Sequence, residues 1–228
     1  MVSSVDFKYI FIANPKTGST TVEHYLRLWD KSFLHNRYVD GDGKIISGIH
    51  GHIRPRDLQK IMADKYHHYR VFIFIRNPYD KAVSGYHYYK EGPRKKIEFS
   101  KNKGNLNLVF NLILAKILPF PIWSLVKPIK SNYDYLTDDD GNVIVDFIGT
   151  TENLSADLKE IACTLGMNPA EDNNIARSNA SKREKDFEKY FKRKWHRELF
   201  EFLNKRDISL YKKITSQNPS FNWRGTRL

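Results

Sequence analysis

The sequence predicts an α/β fold: a parallel sheet with helices on both faces, followed by a helical C-terminal part. Three observations predict it. The runs 9–13 (Tyr-Ile-Phe-Ile-Ala) and 71–75 (Val-Phe-Ile-Phe-Ile) are wholly apolar, as in strands buried on both sides. Each is followed by a short polar loop and then a helical pattern, and strands that alternate with helices build parallel sheets through right-handed crossovers. From about residue 182 onward, apolar residues recur at helical spacing.

The predicted order is strand 9–13, helix 19–29, strand 45–50, helix 56–66, strand 71–75, helix 79–90, strand 143–148, helix 154–165 and the helical C-terminal part. One domain is expected to cover 1–228, since no Gly/Ser- or Pro-rich linker divides the chain. Strand 71–75 ends in Arg76-Asn77-Pro78, where Asn77 suits an N-cap and Pro78 the first helical position. Tyr133 to Leu136 reads as a strand, and Asp138-Asp-Asp-Gly-Asn142 as a turn entering the strand at Val143. The three aspartates lack the calcium-loop spacing, so no metal site is expected there. In helix 154–165, Leu154, Leu158, Ile161, Ala162 and Leu165 form one stripe, and Gly166 is a suitable stop. The stretch 95–130 is an irregular apolar insertion. Leu108, Leu112, Ala115 and Leu118 hold helical spacing before Pro119 and Pro121 break it. This stretch can serve as core, as a lid over substrate, as a homodimer contact or in association with lipid.

The junction after the first strand carries the chemistry. Asn14-Pro-Lys-Thr-Gly-Ser-Thr-Thr21 leads into a helix, whose first N–H groups have no intrahelical acceptor and whose dipole is positive at that end. Lys16 adds a full charge, and the hydroxyls of Thr17, Ser19, Thr20 and Thr21 flank Gly18. The loop is therefore suited to a phosphate or a group like it. It is not a Walker A loop, which needs a Gly-Lys pair. Arg76 stands at the carboxyl end of the next core strand, where open α/β sheets bind ligands. Ser84 lies eight residues further, and a guanidinium with a hydroxyl suits a terminal phosphate.

Together, Pro15-Lys-Thr-Gly-Ser-Thr20 and Arg76-Asn-Pro-Tyr-Asp-Lys-Ala-Val-Ser84 resemble the two donor-binding motifs of the sulfotransferases. Those enzymes use 3′-phosphoadenosine 5′-phosphosulfate (PAPS) and release the desulfated nucleotide PAP. The resemblance implies a P-loop-NTPase-like fold in which Lys16 to Thr21 hold the 5′-phosphosulfate and Arg76 and Ser84 the 3′-phosphate. Gly51-His-Ile-Arg-Pro-Arg-Asp-Leu58, Tyr133 to Gly149 and Thr150-Thr-Glu-Asn-Leu154 resemble the carbohydrate-type branch in particular, which implies a sugar or glycan hydroxyl as acceptor. Thr150-Thr151 departs from that branch, where an arginine-aromatic pair is expected. The family also has a basic loop that closes over the nucleotide, which gives Lys182 and Arg183 to the 3′-phosphate side.

In such a reaction Lys16 would stabilise the bridging oxygen as PAP departs. Sulfuryl carries less negative charge than phosphoryl, so cationic donors can suffice without a metal. The acceptor must lose a proton, which calls for a general base. The candidates are His50 and His52, which share a strand face if 45–50 continues extended. The resemblance places the family's histidine at His52, with His50 second. His24, His35, His67, His68, His87 and His196 show no metal-ligand spacing, and solvated or capping roles are expected. For Asp146 and Glu152, contacts that hold a loop are expected before contacts to substrate.

The chain is strongly basic at +12, and residues 177–228 hold 15 Lys/Arg against 6 Asp/Glu. Part of this is a solvated helix face, with Phe187, Tyr190, Phe191, Trp195, Leu199, Phe202 and Leu203 as its apolar side. The surplus would steer anionic ligands, PAPS and acidic glycans among them. No recognised nucleic-acid-binding pattern accompanies it, which argues against nucleic acid as partner. The single cysteine, Cys163, suits a reducing compartment and core packing. With no signal peptide and no spanning segment, a cytoplasmic protein is expected. The rival readings are a nucleotide-dependent kinase-like enzyme and a basic nucleotide- or nucleic-acid-binding module without turnover.

Overall fold

The structure, a computed structural model, describes residues 1–40, 42–91, 106–127, 131–169, 184, 186–218 and 221–227. The chain divides into two compact units. The first comprises Met1–Asn77, Lys130–Asn179 and Ser209–Leu228, and the second Pro78–Ile129 and Ala180–Ile208.

In the first unit the strands are β1 (Val2–Ser4), β2 (Tyr9–Ile12), β3 (Phe33–His35), β4 (Tyr38–Val39), β5 (Ile45–Ile46), β6 (Arg70–Ile75) and β7 (Phe147–Thr150). The helices are α1 (Ser19–Trp29), α2 (Pro55–Met62) and α6 (Leu154–Thr164), together with the C-terminal part of α8 (Lys205–Thr215). Five strands form one sheet in the order β3-β1-β2-β6-β7, and β4 pairs with β5 apart from it. The sheet is mixed, which corrects the wholly parallel expectation: β2, β6 and β7 run parallel, and β1 is antiparallel to β2 and β3. The reason is the link between β1 and β2. It spans only residues 5–8, with Lys8 at a left-handed φ of 50°, and so short a link permits only an antiparallel turn.

The side chains of β2, β6 and β7 divide by type. Ile10, Ile12, Val71, Ile73, Ile75 and Ile148 face Leu58 and Met62 of α2 and Leu210 and Ile214 of α8. Tyr9, Phe11, Phe72, Phe74 and Phe147 face Val22 and Leu26 of α1 and Leu158 and Ile161 of α6. This two-residue alternation gives an aliphatic layer on one face, an aromatic layer on the other, and helices over both. The aromatic layer is close-set, with the Phe11 and Phe72 rings 5.2 Å apart. At Gly149 of β7 a Cβ would lie 2.5 Å from the Phe74 ring, so only glycine fits there.

Several expected elements are corrected. Residues 45–50 do not form a core strand: only Ile45–Ile46 is extended, it pairs with Tyr38–Val39, and Ile45 is exposed. Helix 56–66 stops at Met62 and continues as a 3-10 helix over Ala63–His68, because Ala63 takes a φ of 48°. Tyr133–Tyr135 is a 3-10 helix instead of a strand, buried through Tyr133 and Tyr135. Cys163 is exposed on α6, off the stripe of Leu154, Leu158, Ile161 and Ala162 that does pack.

Strand β7 begins later than expected because Val143 to Asp146 are bonded to the C-terminal tail. The Val143 N–H donates to Thr226 O and the Trp223 N–H to Asp146 O, at 2.8 and 2.9 Å. Asp146 is buried and accepts from the Val71 N–H at 2.6 Å and from the Arg224 guanidinium. It therefore serves the fold, holding the tail and β6 together. Glu152 likewise holds a loop, accepting from the Asn77 N–H at 2.9 Å.

The second unit is helical: α3 (Pro78–Glu91), α4 (Leu106–Ile117), α5 (Phe120–Val126) and α7 (Lys194–Leu203), with a 3-10 turn at Phe187–Tyr190. The expected helical spacing before Pro119 is α4. Pro121 then sits in the first turn of α5, where no N–H is needed, so the prolines end one helix and start the next. Ala82, Val83, Tyr86, Ala115, Phe120, Trp123, Phe191 and Phe200 form the core. His196, expected to be solvated, lies in that core, stacked on Phe191 at 4.7 Å with Nε2 2.8 Å from the Ser124 hydroxyl.

Burial pushes the His196 imidazole below its ordinary value, and Arg193 acts in the same direction. A base whose folded pKa is lowered contributes its stability in full above the unfolded value of about 6.5, and loses it as pH falls through the folded value. Unfolding temperature should therefore drop as pH is lowered from about 7.5 to about 5.5. The drop should be shallower in His196→Gln, measured as Tm against pH for both proteins. Parallel slopes would exclude this residue as the source.

Candidate functional site

The junction of β2 and α1 is held from inside. Asn14 is fully buried, and its amide donates to Phe74 O at 3.2 Å and to Asn132 Oδ1 at 3.1 Å. Thr17, also buried, donates from Oγ1 to Asn14 O at 2.9 Å. The Thr151 hydroxyl lies 3.0 Å from Thr17 O and 2.9 Å from Ile75 O, so the loop, β6 and β7 meet at one side chain. This is the part played by the Thr150-Thr151 pair: Thr150 in turn donates from N–H and Oγ1 to the buried Asp157 at 2.7 and 2.8 Å.

Lys16 and Gly18 both adopt left-handed φ angles, 66° and 78°. A Cβ on Gly18 would lie 2.7 Å from Leu154 Cδ1, so both the backbone and the space require glycine. Helix α1 starts directly after it with no side-chain cap. The Thr21 and Val22 N–H groups turn back to Gly18 O at 2.9 and 3.2 Å. The Ser19 and Thr20 N–H groups open the helix, where no intrahelical acceptor reaches them. Thr17 and Thr21 are buried, Thr17 bonding its own loop, which leaves Ser19 and Thr20 as the accessible hydroxyls.

Arg76 reaches this loop. It follows the last residue of β6, and its Nη1 donates to Lys16 O at 3.0 Å while its own carbonyl accepts from Asn132 Nδ2 at 3.0 Å. The Arg76 guanidinium thus meets the backbone of the loop that carries Lys16. Ser84 lies on α3 in the second unit and is buried. Lys182 and Arg183 lie outside the described residues.

The segment carrying His50 and His52 is a turn, which corrects its reading as extended chain. Their rings nevertheless stay close, with centroids 6.2 Å apart. Their nitrogens differ. His52 Nδ1 is 2.7 Å from Ala13 O, and since a carbonyl only accepts, Nδ1 carries the proton. In the neutral ring the lone pair is then on Nε2. His50 shows the reverse, accepting the His52 N–H on Nδ1 at 3.1 Å, which puts its proton on Nε2. The bonds therefore give the two neutral rings opposite tautomers, with the proton on Nδ1 in His52 and on Nε2 in His50.

Both rings border a cleft of about 400 Å³, lined also by Ile53, Arg54, Asp57, Asp134 and Tyr135. Arg54 holds Asp57 through two bonds of 2.7 and 3.2 Å, which neutralises both. Tyr135 donates to His52 O at 3.1 Å, and burial pushes its phenol up to about 12, so it stays a donor at neutral pH. Among the described residues Asp134 makes no ion pair. These four polar side chains escaped the sequence reading. All four lie in segments that carry the family resemblance, yet Tyr133–Leu136 reads as a strand and nothing in the sequence gives Arg54, Asp57, Asp134 or Tyr135 a place beside His52.

The fold and this junction define an α/β protein with a lysine-bearing strand-to-helix loop and an adjoining histidine cleft in one unit. No family model matches the chain, and no solved structure matches it. An uncharacterized protein of Archaeoglobus fulgidus is 36% identical over 104 residues, an alignment covering 43% of this chain and 69% of that protein. The chain belongs to the family of that archaeal protein.

Gly18→Ala should destabilise the protein by about 1–3 kcal/mol, through the left-handed backbone and the Leu154 contact together. Adding Leu154→Ala should relieve the contact without relieving the backbone, so the double mutant should be less destabilised than the sum of the two single mutants, yet remain less stable than Leu154→Ala alone. Chemical denaturation of the four proteins reads this directly.

Proposed function

We propose that the protein is a sulfotransferase that moves the sulfuryl group of PAPS to a hydroxyl of an acceptor, a sugar in the first instance. One observation carries the reading: His52 is tied through Nδ1 to Ala13, the residue that joins β2 to the Lys16 loop. A proton-accepting nitrogen is thereby anchored to the root of an anion-type loop. The parallel β2–β6–β7 core, with the loop between β2 and α1, also supports a P-loop-NTPase-like unit, to which β1 and β3 add an antiparallel edge.

In this reading the donor's phosphosulfate lies on the first turn of α1, against the Ser19 and Thr20 N–H groups and the Lys16 ammonium. Arg76 contributes a second cation at the same turn. The acceptor hydroxyl enters the cleft and gives its proton to His52 Nε2 as its oxygen bonds to sulfur. The bond from sulfur to the bridging oxygen breaks, and Lys16 compensates the charge left on PAP. Imidazolium formed on His52 is stabilised by the Ala13 carbonyl at Nδ1. On the cleft wall Arg54 is ion-paired with Asp57 and also feels Asp134, so two carboxylates stand against one guanidinium, which favours neutral sugars over uronic or already sulfated ones.

PAP should raise the unfolding temperature strongly and ATP with Mg²⁺ weakly; a ligand at about 100 times its Kd adds roughly 2.7 kcal/mol. His52→Ala should keep the PAP shift and lose about 10²–10⁴ in turnover, as expected for removal of a general base. His50→Ala should retain most turnover, and Lys16→Ala should lower both turnover and the PAP shift. Transfer from labelled PAPS to a panel of neutral and acidic sugars is the assay. Equal stabilisation by ATP and PAP, or undiminished turnover in His52→Ala, would overturn the reading.

A further inference from the structure

The second unit carries an apolar surface that its own core does not use. Of the fourteen large apolar side chains that are exposed among the described residues, ten belong to this smaller unit. Helix α7 shows how it arises. His196 and Phe200 turn inward, whereas Trp195, Leu199, Phe202 and Leu203, at helical spacings of four, seven and eight, remain 45%, 43%, 76% and 55% exposed. This is the stripe that the sequence alone assigned to the packed side of the helix. On α4 the same pattern recurs with Phe110, Ile113 and Ile117, and on α5 with Ile122 and Val126. Helix α5 packs against both α4 and α7. A monomeric protein seldom leaves so many large apolar groups facing water without a use for them.

The charges beside the stripe select its partner. Residues 192–206 hold six Lys/Arg against two Glu. Lys194 pairs with Glu198 and Arg197 with Glu188, but Lys192 and Arg193 before the stripe and Lys205 after it have no carboxylate partner among the described residues. A helix face of Trp, Phe and Leu with unpaired cations at both ends matches an anionic bilayer surface: rings and aliphatic chains enter the boundary, and cations meet lipid phosphates. Self-association is disfavoured by the same charges, since a two-fold contact through this stripe would bring like cations together. We infer that the α7 face, Trp195, Leu199, Phe202 and Leu203 with Lys192, Arg193 and Lys205, docks the protein on anionic membrane surfaces. This inference is independent of the sulfotransferase reading.

The test is co-sedimentation of the full chain with phosphatidylcholine vesicles that contain or lack phosphatidylglycerol, with light scattering for oligomeric state. Partitioning onto the anionic vesicles should exceed that onto neutral ones by about tenfold or more and weaken at high salt. The pair Leu199→Glu and Phe202→Glu should lower anionic partitioning by about tenfold or more while the unfolding temperature is kept, because both side chains face water. Lys192→Glu with Arg193→Glu should lower it as well, through charge alone. No binding to anionic vesicles, or equal binding to both kinds, would overturn the inference. A dimer at micromolar concentration that Phe202→Glu dissolves, with vesicles unbound, would assign the face to a second copy instead.

Discussion

The buried amide pair Asn14–Asn132 is the constraint on which the candidate site depends. Both side chains are fully buried, where an unmade hydrogen bond costs about 1–3 kcal/mol, so their bonding pattern fixes geometry closely. Asn14 reaches the Phe74 carbonyl in β6 and the Asn132 side chain, and Asn132 passes the connection on to the Arg76 carbonyl. One short chain of amides thus sets the end of β2 against the end of β6. The same segment continues into the 3-10 turn Tyr133–Tyr135, whose last residue donates to His52 O. Loop, arginine and histidine are therefore positioned by a single buried network. A change at any one of its members would be felt at the others.

How far the sequence discloses this arrangement depends on where each signal resides. Strands β2 and β6 are legible because burial on both faces leaves them wholly apolar. Glycine at 18 is legible because a strand-to-helix turn needs it. Strand β1 is not, since its three residues include Ser3 and Ser4, whose hydroxyls bond Arg37 O and Ser32 Oγ inside the fold. The different bonding of His50 and His52 is closed to sequence reasoning from the residues alone, because it rests on a contact to Ala13 made 39 positions away. Apolar periodicity misleads on α7 for a related reason. It reports that one face is apolar, not which part of that face finds a partner. The wide apolar arc is split between Phe200 and the buried His196 on one side and the exposed Trp195 and Phe202 on the other.

The basic balance separates in a similar way once the contacts are known. Arg224 belongs to the C-terminal excess by sequence, yet it spends its charge on the buried Asp146 and lies over the Tyr66 ring at 5.5 Å. A buried carboxylate left without that partner would be strongly destabilising, so this cation is structural. Lys189 and Lys194 are engaged by Glu184 and Glu198. Among the described residues, Lys192, Arg193 and Lys205 flank α7 without a carboxylate partner, so part of the surplus is gathered at one helix.

Lys16 poses the sharpest physical question in the loop. A non-glycine residue at a φ of 66° stores about 1–3 kcal/mol of strain, which a glycine in its place would avoid. Lys8, Asn36 and Ala63 also take positive φ, but they stand at turns that link strands or helices and need no further account than chain reversal. At Lys16 the reversal is already supplied by Gly18 two residues on. Its carbonyl is engaged by Arg76, so the strain is held in place by a bond to the neighbouring strand end. The strain is thus maintained by a specific contact, at a position where a smaller residue would relieve it. The conformation delivers the chain to Gly18 and the first turn of α1 with the Lys16 carbonyl committed to Arg76.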